Sequence, residues 1–141
     1  CYNEQPWLFM TCNKDNHQQY LELLDEHNQA WAKDAPVIGF IVAKKVFDSN
    51  GCPNNHAIFD TGSAWLAMTL QARSLELYTR GLGGINYDGV YDTFKLNRDK
   101  YEVICGFVLG EIDVPEKLPE GFFRDTEKPS PRKALNEIWI R

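Results

Sequence analysis

The apolar positions of the chain switch repeatedly between a run-like and a helical pattern. Trp7-Leu8-Phe9-Met10-Thr11-Cys12 is a short apolar run and reads as a strand. From about His17 to Ala32 the apolar face Tyr20, Leu23, Leu24, His27 and Trp31 recurs at helical spacing, which predicts one helix. Asp15 or Asn16 can cap it, and Pro36 lies beyond its end. Val37 to Ala43 is nearly continuous and β-branched, the pattern of a strand covered on both faces. Lys44 to His56 carries Ser49-Asn50-Gly51-Cys52-Pro53-Asn54-Asn55 and reads as a loop. A single long apolar helix follows from Ala57 to about Leu77. A helix this apolar is expected to be buried on most of its surface. Small residues (Gly62, Ala64, Ala67, Ala72) would let another helix approach, and Trp65, Met68, Leu70 and Leu75 would supply buried area. A third strand ends in Gly81-Leu82-Gly83-Gly84, where missing side chains open the backbone to a close neighbour. Tyr87 to Phe94 predicts a short helix capped by Asn86, and Tyr101 to Gly110 predicts a last strand.

The alternation of strands and helices predicts an α+β fold: a small mixed sheet flanked by helices, in a single domain spanning residues 1–141. Beyond Glu111 prolines and charges predict an extended tail, residues 111–141. Its apolar residues Leu135, Ile138, Trp139 and Ile140 need something to bury them. On a chain this small that partner is read as a second subunit, so an obligate-type homodimer is expected, with the tail wrapping it.

Composition narrows the function. The 141 residues hold 20 acidic and 15 basic side chains, a net charge of −5. That balance argues against a nucleic-acid partner held by an overall basic surface. No apolar run approaches the ~18 residues of a membrane span, so no membrane partner is expected. Cys1, Cys12, Cys52 and Cys105 form no C-x-x-C pair, and His17, His27 and His56 are far apart, so no metal site is expected. The reading is a cytoplasmic protein with inert thiols, Cys12 and Cys105 serving as small core residues. The chain opens on Cys1 close to its first strand and reads as N-terminally incomplete.

Few residues suggest covalent chemistry. Ser63 sits in Thr61-Gly62-Ser63-Ala64, which is not a G-x-S-x-G elbow, and a serine near a helix start is more often back-bonded. Gly81 to Gly84 is G-x-G-G and precedes only a short helix, so it is not a dinucleotide fingerprint. No catalytic side chain is assigned.

Several weak motifs in one order carry more. These are Asn3-x-Gln5-Pro6-Trp7, Asn28-x-x-Trp31 with Ala35-Pro36, Phe59-Asp60-Thr61-Gly62, Leu82-Gly83-Gly84, and Lys128-Pro129-Ser130-Pro131-Arg132-Lys133-Ala134-Leu135-x-Glu137. Together they resemble the FMN-dependent nitroreductase family, closest to a compact subgroup, over nearly the whole chain. The resemblance implies an FMN flavoprotein that takes NAD(P)H as co-substrate. It would reduce nitroaromatics, quinones or similar flat small-molecule acceptors by ping-pong hydride transfer. Asn3 then matches an asparagine donated to the flavin of the neighbouring subunit, and Cys1 stands where a serine is usual. Asn28 matches the amide on the flavin pyrimidine edge, suited because it both donates and accepts. Leu82 matches the apolar residue against the ring face. Gly83 and Gly84 match the pair whose backbone N–H groups point at the N5 region, tuning the flavin. Arg132, assisted by Lys133, matches the phosphate ligand. The family's N-terminal helix, with an Arg-x-Ser-x-Arg-like phosphate pattern, is lacking, which implies weaker FMN retention. The loop Lys44 to His56 is short, which implies an open flavin and broad acceptor choice. Two alternatives stay open: a non-catalytic or flavin-depleted remnant of the fold, and a flavin reductase of another substrate, such as an enone or a halogenated aromatic.

Overall fold

The apolar runs assemble into one four-stranded sheet. The computed structural model describes residues 1–118 and 120–140, the side chains of Phe122 and Phe123 excepted. Strands β1 (Trp7–Thr11), β2 (Val37–Lys44), β3 (Tyr78–Leu82) and β4 (Tyr101–Gly110) lie in the order β1-β2-β4-β3. The α+β class holds, but all three pairings are antiparallel, so among the described residues the sheet is not mixed. The connection from β2 to β3 carries the chain back in the same direction, but β4 lies between those two strands and runs against both, so no parallel pair forms. The central strand β2 has six consecutive buried residues between half-buried ends, as its β-branched run implies.

Aromatic layers cover both faces. On one, Tyr20 stacks on Phe40 at 5.4 Å between ring centres, and Phe94 closes the cluster. On the other, Phe107 meets Trp65 at 5.4 Å and Phe9 edge-on at 6.2 Å. The short helix α4 (Tyr87–Thr93) starts at Asn86, whose side chain accepts the Gly89 N–H at 2.9 Å. Asn86→Ala is expected to cost about 1 kcal/mol by loss of this cap, read as a lower denaturation midpoint with an unchanged slope.

Two expectations need correction. The helix expected over His17–Ala32 is two helices, α1 (His17–Leu21) and α2 (Glu26–Ala32). Leu23 and Leu24 N–H groups bond back only three residues, to Tyr20 and Leu21 carbonyls, which tightens the end of α1. Asp25 then takes an extended ψ of 161° and its carboxylate caps α2. The break changes which side faces in. Tyr20, Leu23 and Leu24 are buried as expected, but His27 is exposed, and Asn28 and Ala32 take the inner positions.

The long helix α3 (Ala57–Ser74) is also less buried than expected. Only Ala57, Thr61 and Ala72 are buried, while Phe59 is 75% exposed. One face packs on the sheet; the apolar opposite face has nothing over it among the described residues. The helix stops three residues short of Leu77. Glu76 turns to φ +62°, and the Leu77 N–H bonds back to the Ala72 carbonyl at 2.9 Å. Thr61 is 1% exposed, and its hydroxyl has no hydrogen-bond partner among the described residues. Thr61→Val is therefore expected to stabilise the protein by about 1 kcal/mol, seen as a raised melting temperature. A fall would mean that the hydroxyl is used.

After Gly110 come a 3₁₀ turn (Pro115–Lys117) and short helices α5 (Phe122–Thr126) and α6 (Leu135–Ile138). Arg80 of β3 ties this segment down by pairing with Glu127 and lies over the Trp31 ring at 5.0 Å. No helix among the described residues is long and apolar enough to cross a membrane.

Candidate functional site

The glycine turn after β3 is stitched to the break between α1 and α2. Leu24 and Ile85 form an isolated antiparallel bridge, and the Asn86 N–H donates to the Leu23 carbonyl at 2.8 Å. The Gly84 carbonyl accepts twice: from the Asp25 N–H at 3.0 Å and from Asn28 Nδ2 at 3.1 Å. Asn28 is itself fixed, because its backbone N–H donates to Asp25 Oδ1 at 2.7 Å. Asp25, Asn28 and Gly84 thus form one closed hydrogen-bonded unit.

That unit explains why position 84 is glycine. A Cβ there would overlap the Asp25 carboxylate and sit 2.6 Å from Asn28 Nδ2. Gly83 differs: a Cβ there would meet nothing within 4 Å. One glycine is clasped from behind, and the next faces open space. Leu82 precedes them, 4% exposed and part of the core. Among the described residues no turn bond uses the Gly83 or Gly84 N–H. The result is an apolar residue followed by two backbone donors, with a buried carboxamide close by. Such an edge can take a flat ring that carries acceptors.

The structure thereby brings together Asn28, Leu82, Gly83 and Gly84. Cys1 and Asn3 lie elsewhere, in a cleft of about 480 Å³ between β1 and the start of α3, which Gln5, Trp7, Asp60 and Ser63 also line. The Asn3 side chain accepts from Gln5 Nε2 at 3.1 Å. Ser63 donates to the Phe59 carbonyl at 3.0 Å, the back-bonded state expected of a helical serine. Arg132 and Lys133 are exposed on the tail, and the Arg132 guanidinium donates to Ser130 Oγ at 2.9 Å and to the Ser130 carbonyl. Within the single chain the expected site residues therefore fall into three groups. All four cysteines are free, Cys12 is buried, and burial pushes the Cys105 thiol up, away from a reactive thiolate.

Asp25 is the residue that sequence reasoning passed over. Its signal was present: an aspartate three residues before Asn28, inside an apparent helix, is an N-cap signature and a mark of a break.

No family model matches the chain, and no curated protein does. Solved structures do. An oxidoreductase containing FMN is 30% identical, with 99% of this chain and 72% of that one covered at a TM-score of 0.90. A nitroreductase family protein from Clostridium difficile 630 is 22% identical, covering 98% of this chain and 74% of its own, at a TM-score of 0.65. A structure from Exiguobacterium sibiricum in complex with FMN is 17% identical, covering 100% and 79%, at a TM-score of 0.75. The last two are likenesses of fold.

Proposed function

This chain belongs to the nitroreductase family, and from that premise we propose that it is an FMN-dependent oxidoreductase whose flavin ring lies against Leu82, Gly83 and Gly84. The observation that carries the reading is the contrast between the two glycines. Gly84 is held from behind by Asp25 and Asn28, while Gly83 faces space that a ring can fill. The residues present fit the ring end of FMN: two backbone donors, an apolar contact and a carboxamide. One N–H of the Asn28 carboxamide is engaged by the Gly84 carbonyl, and its oxygen would accept from the pyrimidine edge. Arg132 and Lys133 would hold the phosphate, which requires Arg132 to exchange its Ser130 bonds for phosphate oxygens.

Bound FMN would supply hydride acceptance and donation, chemistry that no side chain here offers. The chain's part is to orient and to tune. Leu82 would back the ring through the part of its side chain that reaches the surface, and the Gly83 and Gly84 N–H groups would favour an electron-rich N5 edge. NAD(P)H as reductant and a nitroaromatic or quinone as acceptor would use the same open face in turn, hence a ping-pong order. The apolar outer face of α3 and the exposed tail residues Leu135, Ile138 and Trp139 suit a homodimer in which the single domain's tail wraps the partner. Cys1 and Asn3 would then serve the partner's flavin. A reduced cytoplasmic setting suits the free thiols.

The test is reconstitution. The protein incubated with FMN and desalted should stay yellow, bleach anaerobically with NADH or NADPH, and recover colour on adding a quinone or nitroaromatic. A colourless protein after desalting would instead support the flavin-depleted remnant.

A further inference from the structure

We infer that Asp25 is a positioning residue that aims the Gly84 N–H outward, acting through Asn28 and two successive peptide planes. This deepens the flavin reading and rests on it for its functional consequence, though not for the geometry. Four hydrogen bonds carry the inference. The Asp25 carboxylate holds the Asn28 N–H at 2.7 Å. So fixed, Asn28 Nδ2 joins the Asp25 N–H in gripping the Gly84 carbonyl, at 3.1 and 3.0 Å. A trans peptide points its C=O and N–H in opposite directions. Gripping the Gly84 carbonyl therefore turns the Ile85 N–H the other way, where it meets the Gly83 carbonyl at 3.1 Å. With the Gly83 carbonyl engaged in turn, its peptide partner, the Gly84 N–H, points away from Ile85 and out of the turn. The aim of this donor is thus set by a carboxylate three bonds upstream.

The absence of a Cβ at Gly84 is what lets Asp25 and Asn28 approach so closely. The α1–α2 break is what puts them there, since a continuous helix would turn Asn28 along with His27 and leave Asp25 no cap to make. The break and the double glycine are two halves of one device.

Three substitutions separate geometry from charge. Asp25→Ala removes the cap. Asp25→Glu keeps the charge but moves the carboxylate by one methylene, away from the short Asx geometry. Asp25→Asn removes the charge but keeps an oxygen in place to accept the Asn28 N–H. Two readouts are needed. In the flavin-free protein, amide hydrogen exchange at Ile85 and Asn86 should speed up about tenfold or more in the alanine and glutamate variants and stay near wild type in the asparagine variant. In the FMN-loaded protein, Kd should rise about tenfold and the flavin midpoint potential should fall in the same two variants, because a donor that favours reduced flavin is misaimed. A purely structural aspartate would lower stability without moving the potential. Should Asp25→Ala fail to fold, the glutamate and asparagine pair still decides.

Exchange and potential that are unchanged in the glutamate variant, or an asparagine variant as impaired as the glutamate one, would overturn the inference. If the wild type binds no FMN while exchange follows the stated order, the flavin reading fails and the positioning role stands.

Discussion

Gly84→Ala should raise the Kd for FMN at least about tenfold and lower the melting temperature with it. The added methyl would fall inside the Asp25 carboxylate and 2.6 Å from Asn28 Nδ2, so the cap, the carboxamide or the turn must move. Overpacking of this kind costs about 1–3 kcal/mol, and 1.4 kcal/mol is a factor of ten in affinity. Gly83→Ala is the matched control. Its methyl meets nothing within 4 Å of the protein, so stability should hold. FMN affinity should still fall, because the methyl occupies the space assigned to the ring. Fluorescence titration of FMN and thermal denaturation of both variants read these effects separately. Equal affinity in Gly83→Ala and wild type would count against the ring's placement.

The second large effect is expected far from the turn. Gly39→Ala places a methyl 2.5 Å from two atoms of the Phe107 ring and 2.7 Å from the Met10 carbonyl oxygen. Gly39 lies opposite Phe107 in the β2–β4 register, and Phe107 sits between Phe9 and Trp65 under α3. Phe107 is 1% exposed, so its ring cannot swing out to solvent without disturbing the core. A loss of about 1–3 kcal/mol is expected, a drop of several degrees in melting temperature for a domain of this size. Adding Phe107→Leu should recover part of it, so the two changes should be non-additive. A Gly39→Ala protein as stable as wild type would mean that the sheet there is looser than described.

Much of this fold was legible in the chain. The strands and α4 follow from runs and caps that local physics determines: β-branched stretches, Asn86 before a helix, glycines at a strand end. What was not legible came from competition between neighbouring signals. Tyr20, Leu23, Leu24, His27 and Trp31 fit a helical period so well that they masked Asp25, whose short carboxylate caps a new helix instead of continuing the old one. Periodicity counts apolar residues and is blind to a polar cap inside the count. The exposure of α3 was hidden differently. Its apolar content implied burial, but sequence cannot say whether the cover is the same chain or another, and here the sheet covers only one face. The antiparallel sheet also escaped, since strand direction depends on how each connection returns, not on strand composition.

The candidate site was legible in proportion to how local it is. Leu82, Gly83 and Gly84 are consecutive, and Asn28 joins them through a bond spanning 56 residues that the motifs anticipated only as a shared ligand. Cys1, Asn3, Arg132 and Lys133 stand apart within one chain, so the roles proposed for them rest on the proposed second subunit and on the tail.

The glycine turn is proposed to hold the flavin ring, and amide NMR during an FMN titration tests that placement most directly. On isotope-labelled protein, the Gly83 and Gly84 amide signals and the Asn28 carboxamide pair should shift most and saturate together. FMN that leaves these signals unmoved, or that shifts only residues remote from the turn, would contradict the account.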